Sequence, residues 1–163
     1  MTLLLRTRIA VHAAPIDVPA ELDELRRGLP DAGAMVSFVG TCRSEGGRLA
    51  GLEIEHYPGM AEAEFERIVR EAAGRWPIIA MAVVHRTGRV LAGEDIVVVA
   101  AVSGHRSAAF GAAGFAMDFL KTSAPFWKKE IASDGSAPRW VEAKTSDDNA
   151  AGRWRTEGDP GRR

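Results

Sequence analysis

The stretch Asp95–Val102, DIVVVAAV, constrains the fold more than any other part of the chain. A short, continuous apolar run that is rich in β-branched residues is typical of a buried strand. We therefore expect this segment to lie at the centre of a sheet. The segments around it mix helical and strand periods without a regular strand–helix–strand alternation. This pattern favours an α+β fold with antiparallel or mixed sheets and packed helices.

Periodicity and turn residues predict the remaining elements. The predicted strands are 6–14, 34–42, 49–57, 78–85, 126–131 and 139–143. The predicted helices are 20–27, 60–73 and 103–124, and Pro125 ends the last of them. We expect strands 34–42 and 49–57 to pair as a hairpin, and strands 126–131 and 139–143 to form a closing hairpin.

Length and composition limit the class of protein. The 163 residues fit one domain over 1–145, followed by a polar, Gly-rich segment, 146–163, that we expect to be a flexible tail. The net charge of -1 gives no field that would attract nucleic acid or a membrane surface. The single cysteine, Cys42, suits a reducing compartment, and the histidines show no metal-ligand spacing. No uninterrupted apolar run reaches 18 residues, so we expect a cytoplasmic protein. Because metal-ligand spacing is absent, we also expect that it binds no metal.

Cationic and aromatic residues concentrate in KTSAPFWKKE, residues 121–130. Lys121 lies near the C-terminal end of a predicted helix, where the helix dipole favours a cation, and position alone favours an ordinary helix-end lysine. Lys128 and Lys129 follow the proline turn and can fold back towards Lys121. Neighbouring cations lower the pKa of a lysine, and a neutral amine is a base or a nucleophile.

Strand alternation separates the residues that follow Pro125. Trp127 and Lys129 are predicted to share one face of the strand, and Phe126 and Lys128 the other. Only one of the two lysines can therefore reach a given site.

The pair His105-Arg106 lies where a strand ends and a helix begins. The N-terminus of a helix binds anions and arginine adds a bidentate fork, but a Ser103 cap with two solvated side chains explains the pair equally well. Lys121 follows His105 by 16 residues, which in one straight helix separates them by roughly 24 Å. If both serve one small substrate, they meet most simply across a symmetric dimer interface.

Further candidate binding residues each have a structural alternative. Arg43 opens a glycine-rich turn, where an arginine is either a binding residue or merely solvated. Cys42 is favoured as structural, because strand alternation buries it and no base is adjacent. A structural role in a turn is favoured for His56, and a solvated turn for His85-Arg86.

Six motifs then occur in a recognisable order: GLEIEHYPGM (51–60), RWP (75–77), HRTGRVLAGE (85–94), SGHRSAAF (103–110), MDFLKTSAPFWKKE (117–130) and RWVEA (139–143). Over about residues 33–145 the chain resembles the large, catalytic subunit of molybdopterin synthase, the MoaE family. The resemblance implies an α+β fold with a hammerhead-like subdomain, and a homodimer.

The resemblance also implies a sulfurtransferase of molybdenum cofactor biosynthesis. Each end of the dimer would bind a small ubiquitin-like sulfur carrier, MoaD-like, to give a heterotetramer. The carrier's C-terminal Gly-Gly thiocarboxylate would enter a pocket and transfer sulfur to cyclic pyranopterin monophosphate, forming the dithiolene of molybdopterin. The family requires no bound cofactor and no metal for this reaction.

Matched motif by motif, Lys121 corresponds to the family's essential lysine and Lys128 to its second active-site lysine. The other positions implied in substrate binding are Thr41, Cys42, Arg43, His105, Arg106, Lys129, Glu130 and Lys144. The loop after Arg43, SEGGRLA, is shorter than the family's usual one. A second hypothesis is a non-catalytic, anion-binding or carrier-binding homodimer on the same fold. Retention of both active-site lysines favours the enzyme.

Overall fold

The computed structural model describes residues 4–142 and 145–156, which form an α+β fold with two four-stranded sheets. Its strands are β1 (Arg6–His12), β2 (Ala34–Thr41), β3 (Leu49–His56), β4 (Ile78–Arg86), β5 (Gly88–Leu91), β6 (Asp95–Ser103), β7 (Phe126–Ala132) and β8 (Arg139–Trp140). Its helices are α1 (Val18–Arg26), α2 (Met60–Arg75), α3 (Arg106–Ser123) and α4 (Thr145–Thr156).

The apolar run Asp95–Val102 forms most of β6 and lies inside the first sheet, as predicted. The strand order is β1-β4-β6-β2, with β1 parallel to β4 and the other pairs antiparallel. Residues 96–103 of β6 are all buried. Alternate β6 side chains serve two cores: Val99 and Ala101 pack with α2 and α3, while Ala100 and Val102 pack with Leu25 of α1.

The hairpin predicted between β2 and β3 is wrong. β2 pairs with β6, whereas β3 belongs to the second sheet, whose order is β5-β3-β7-β8. The connection between them includes three consecutive residues with positive φ, Glu45, Gly46 and Gly47. In this left-handed backbone the chain leaves one sheet and enters the other. The short strand β5 was not predicted, because its residues were assigned to the turn after β4 and the segment that follows it.

The closing hairpin is confirmed, because β7 pairs with β8 through Lys129–Trp140 and Glu130–Arg139. β8 ends at Trp140, earlier than predicted. Position Lys144 lies outside the described residues. No helix in the described part of the chain is long and apolar enough to cross a membrane.

The segment predicted to be a flexible tail is helical where the structure describes it. Helix α4 packs on α3, and Ala151 is completely buried. Trp154 donates a hydrogen bond from Nε1 to Oδ2 of Asp118 at 2.6 Å, and its ring contacts Trp76 and Phe115 edge-on. Trp154, buried Ala151 and the ion pair between Arg153 and Asp118 together hold a segment whose composition is otherwise polar. The remaining tail residues, 157–163, lie outside the described part of the chain.

Candidate functional site

A pocket of about 480 Å³ is lined by residues of both sheets. The end of β2 and the residues after it form one wall, the last turns of α3 a second, and one face of β7 a third. The predicted site residues that line this pocket are Thr41, Cys42, Arg43, Lys121, Lys128 and Glu130. Sequence positions separated by almost 90 residues thus converge on one cavity.

The two candidate catalytic lysines both line this pocket. Lys121 lies in the last turn of α3, and the chain reverses at Pro125 to begin β7. Because side chains alternate along a strand, Phe126, Lys128 and Glu130 face the pocket from β7. The helix end and the strand thereby bring Lys121 and Lys128 to one cavity.

Lys128 is a pocket lysine whose pKa is lowered. Its side chain is half-buried in the pocket wall. Burial and the positive charge of Lys121 together lower the pKa of Lys128 to about 8, while Asp147 and Cys42 act in the opposite direction. An amine with this pKa is neutral in a sizeable fraction of molecules near pH 7.5, so Lys128 can either take up or release a proton.

Lys129 does not share this pocket. It lies on the opposite face of β7, where its Nζ is 3.3 Å from Oε1 of Glu55 and 4.3 Å from the ring centroid of Trp140. Trp127 is on that face and 48% exposed. The predicted alternation of β7 is confirmed, and Lys128 is the member of the lysine pair that reaches the cavity. Glu130 lines the cavity and pairs with Arg48 at 3.2 Å.

The β2 end supplies polar groups of different kinds. Thr41 donates a hydrogen bond from Oγ1 to Oδ1 of Asp95 at 3.0 Å. Cys42 is 2% exposed, and burial raises the pKa of its thiol, which opposes formation of a thiolate. Arg43 is exposed and pairs with Glu45 at 3.0 Å. Arg43 is thus the accessible cation of this segment, whereas Cys42 packs in the wall.

His85 is a pocket residue that the sequence interpretation missed. The prediction of a solvated turn at His85-Arg86 is wrong: these residues are only 6% and 5% exposed. The ring of His85 stacks on Phe126 with a centroid distance of 4.0 Å and lines the pocket. Burial, helped by the nearby charges of Lys128 and Lys121, lowers the pKa of His85 to about 3, although its hydrogen bond to the Arg86 backbone acts in the opposite direction. The signal in the sequence was the apolar run before it, which continues the buried strand to its end.

Arg86 and His56 support the walls of this region. Arg86 donates from Nη1 to Oε2 of Glu94 at 3.0 Å and is buried beneath the turn that follows β4. His56 lies on β3, and its ring centroid is 6.1 Å from that of Phe126. His56 does not line the pocket. This contact agrees with the structural role favoured for His56.

The predicted binding pair His105-Arg106 is not brought to the pocket within one chain. His105 occupies the N-cap position of α3 without a side-chain capping hydrogen bond, Arg106 is the first residue of the helix, and both side chains are exposed. Lys121 occupies the other end of the same uninterrupted helix. At 1.5 Å per residue the two ends are separated by roughly 24 Å.

The described residues offer no group of three or more His, Cys, Asp or Glu side chains that could hold a metal ion. The ionisable groups that line the pocket are instead amines, a guanidinium, an imidazole and carboxylates. This set suits the binding of an organic anion and the movement of protons close to it.

Comparisons with known proteins give one consistent result. The family model described as MoaE protein matches residues 11–123. A molybdopterin synthase catalytic subunit from Mesorhizobium japonicum is 53% identical over 156 residues, which cover 96% of this chain and 98% of the relative. A second relative of that name, from Rhizobium meliloti, is 55% identical over 90% of this chain and 94% of its own length.

Solved structures share the fold. The molybdopterin biosynthesis MoaE protein from Burkholderia ambifaria matches with a TM-score of 0.79 and 48% identity, covering 93% of this chain and 99% of its own. A chain from a complex of subunits 1 and 2 of molybdopterin-converting factor from Helicobacter pylori matches with a TM-score of 0.67. At 22% identity over 85% of this chain and 90% of that chain, this second likeness concerns the fold alone.

Proposed function

This chain belongs to the MoaE protein family, and from that premise we propose that the pocket around Lys121 and Lys128 is its sulfur-transfer site. Its relatives are molybdopterin synthase catalytic subunits, and the chain is accordingly a sulfurtransferase of molybdenum cofactor biosynthesis. The observation that carries the assignment of the site is the convergence of the two lysines on one cavity, where the pKa of Lys128 is about 8.

The proposed substrate is cyclic pyranopterin monophosphate, and its phosphate is an anion. Arg43 and Lys121 are exposed cations at the cavity and supply charge to hold that anion. The proposed sulfur donor, a C-terminal thiocarboxylate, is also anionic and needs cationic cover. A pocket with several cations therefore fits both reactants.

The lysines also suit the proton movements of the reaction. When a thiocarboxylate sulfur attacks a carbon that carries oxygen, a C–S bond forms and the C–O bond breaks, and the departing oxygen needs a proton. An ammonium group can deliver that proton, and a neutral amine can then take one from the water that releases the carrier. Lys128 can exist in either form near neutral pH because its pKa is about 8.

The proposed partner is a small ubiquitin-like, MoaD-like carrier with a C-terminal Gly-Gly thiocarboxylate. The Helicobacter pylori protein of this fold was solved as a complex of subunits 1 and 2 of molybdopterin-converting factor. The pocket of this chain is open to solvent beside the exposed Lys121 and Arg43, which gives an extended peptide tail a way in. We place this assembly in the cytoplasm, where Cys42 would stay reduced.

The proposed assembly is a homodimer with one carrier at each end, a heterotetramer. Its support is the separation along α3: exposed His105 and Arg106 lie at one end of the helix and Lys121 at the other. In a symmetric dimer, His105 and Arg106 of one copy can complete the pocket of the second. Lys144 is proposed, from its motif position, to lie near the neighbouring pocket.

This arrangement predicts complementation between inactive chains. Neither the Lys121→Ala nor the Arg106→Ala chain alone should be active, but a mixed dimer contains one intact site. Equal amounts of both chains, refolded together, should regain roughly a quarter of wild-type activity, because half of the dimers are mixed and each has one of two sites intact. If the mixture is as inactive as the separate variants, the shared site is wrong.

The central test of the proposed function is Lys121→Ala, assayed for molybdopterin formation with thiocarboxylated carrier. Loss of a general acid or base should slow the reaction by about 100-fold or more. Lys121→Arg is the matched variant, because arginine keeps the cation but does not act as a base. Recovery in the Arg variant would assign Lys121 to anion binding, and a wild-type rate in the Ala variant would mean that Lys121 is not catalytic. The non-catalytic, carrier-binding homodimer would be favoured if the wild-type protein bound the carrier but formed no molybdopterin.

A further inference from the structure

His85 carries a hydrogen-bond acceptor that the fold does not use. The Nδ1 atom of His85 lies 2.7 Å from the backbone oxygen of Arg86. Because a carbonyl oxygen can only accept, Nδ1 must be the atom that bears the proton. In the neutral ring, Nε2 is then left with a free lone pair and acts as an acceptor only.

No group in the described part of the chain donates to this Nε2. Buried polar atoms nearly always have a hydrogen-bond partner. Among the described residues, the one fully buried side-chain nitrogen or oxygen atom without such a partner is Nε of Arg86. Nε2 of His85 is therefore not fully buried and keeps some accessible surface, although the residue as a whole is only 6% exposed. The open space that His85 lines is the pocket.

The surrounding packing holds the ring in place. His85 is stacked on Phe126 with an interplanar angle of 13°, and Phe126 in turn contacts Phe65 at 5.9 Å. Phe126 and Lys128 share the inner face of β7. The free acceptor thus belongs to the same pocket as Lys128. A half-turn of the ring would keep the stack but break the Nδ1 hydrogen bond to the Arg86 oxygen, so the two contacts together fix the position of Nε2.

We propose that His85 is a binding residue whose Nε2 accepts a hydrogen bond from an N–H or O–H group that a reactant brings into the pocket. This inference rests on the proposed function and deepens it. The cations of the pocket bind the anionic parts of the reactants, and His85 binds a neutral donor. Two sources offer that chemistry: a glycine amide of the carrier tail, and a ring N–H or hydroxyl of the pterin.

Nitrogen NMR of the protein with 15N-labelled histidine tests the acceptor directly and needs no turnover. At pH 7.5 the free protein should show His85 with protonated Nδ1 and unprotonated Nε2. Addition of carrier with an ordinary Gly-Gly carboxylate, or of the pterin substrate, should move the Nε2 resonance towards its hydrogen-bonded position. The reactant that moves it is the donor. If neither does, or if Nε2 bears the proton in the free protein, the inference is overturned, whatever the outcome of the Lys121 assay.

Three variants separate the acceptor from the stack. His85→Phe keeps an aromatic ring on Phe126 but removes the acceptor, while His85→Gln loses the ring but places an amide oxygen near the position of Nε2. His56→Phe is the matched control, because His56 contacts the same Phe126 from outside the pocket.

Calorimetric titration with the reactant identified by NMR gives the decisive affinities. His85→Phe should bind about tenfold to 100-fold more weakly, because a buried donor is left unpaired. His85→Gln should recover part of that loss, and His56→Phe should bind as wild type does. Wild-type affinity in a folded His85→Phe protein would overturn the inference, and thermal melts establish which variants are folded.

Discussion

The two faces of β7 place adjacent lysines in opposite environments. Lys128 faces the pocket, half-buried beside the charge of Lys121, and its pKa falls to about 8. Lys129 faces outwards, where Glu55 and the ring of Trp140 hold its ammonium group. The two residues have the same side chain and consecutive positions, so the difference in their chemistry comes from the strand's alternation and from what each face packs against.

The comparison shows how burial converts a common residue into a reactive one. On the outer face, an ion pair with Glu55 and a cation–π contact with Trp140 hold the ammonium group of Lys129. On the inner face, desolvation and a second cation disfavour the charge, and a cavity admits a reactant. The inner face of β7 therefore provides a functional group, whereas the outer face provides modest stability.

Replacing the two lysines separately should give the largest difference. Lys128→Ala should lower the rate of molybdopterin formation by about 100-fold or more, because it removes a proton-transfer group from the cavity. Lys129→Ala should stay within about twofold, and should cost less than about 1 kcal/mol of unfolding free energy, because exposed ion pairs contribute little. Rate measurements with thiocarboxylated carrier, and thermal melts of both variants, check these values. Equal losses of rate would remove the distinction between the two faces.

The sequence predicted the faces of β7 because alternation is a local property of the strand. It did not predict which strands pair: β2 and β3 each have a strand pattern, but the pattern does not identify a partner, and a turn with positive φ sends them to different sheets. The lysine pair and Arg43 were predicted from motif and position, and the structure places them together.

Tertiary contacts decided what the sequence could not show. The apolar run before His85 indicates a buried strand end, but the residue that covers its ring, Phe126, comes from a distant strand. Helix α4 was missed because its composition is polar, and its docking depends on Trp154 reaching Asp118 of α3. In both cases the deciding partner is far away in the chain, and local propensity gives no information about such a contact.

The burial of His85 against the inner face of β7 should also make the stability of the protein sensitive to acid. The folded protein holds His85 neutral with a pKa of about 3, whereas the unfolded chain takes up a proton near the ordinary value of 6.5. Between these values the unfolded state binds more protons, so His85 makes stability fall as pH decreases through this window. Its contribution from pH 6.5 to pH 4.5 is about 2 kcal/mol.

Urea unfolding at these two pH values, with wild type and His85→Phe, isolates that contribution. The variant keeps the aromatic contact with Phe126 but has no group to titrate, so its unfolding free energy should fall by about 2 kcal/mol less than that of wild type. Above pH 7.5 the difference between the two proteins should be constant, because neither state of His85 is protonated there. If wild type and His85→Phe lose the same unfolding free energy in acid, burial against the inner face of β7 does not keep His85 neutral. The contrast between the two faces of β7 would then be confined to the lysines.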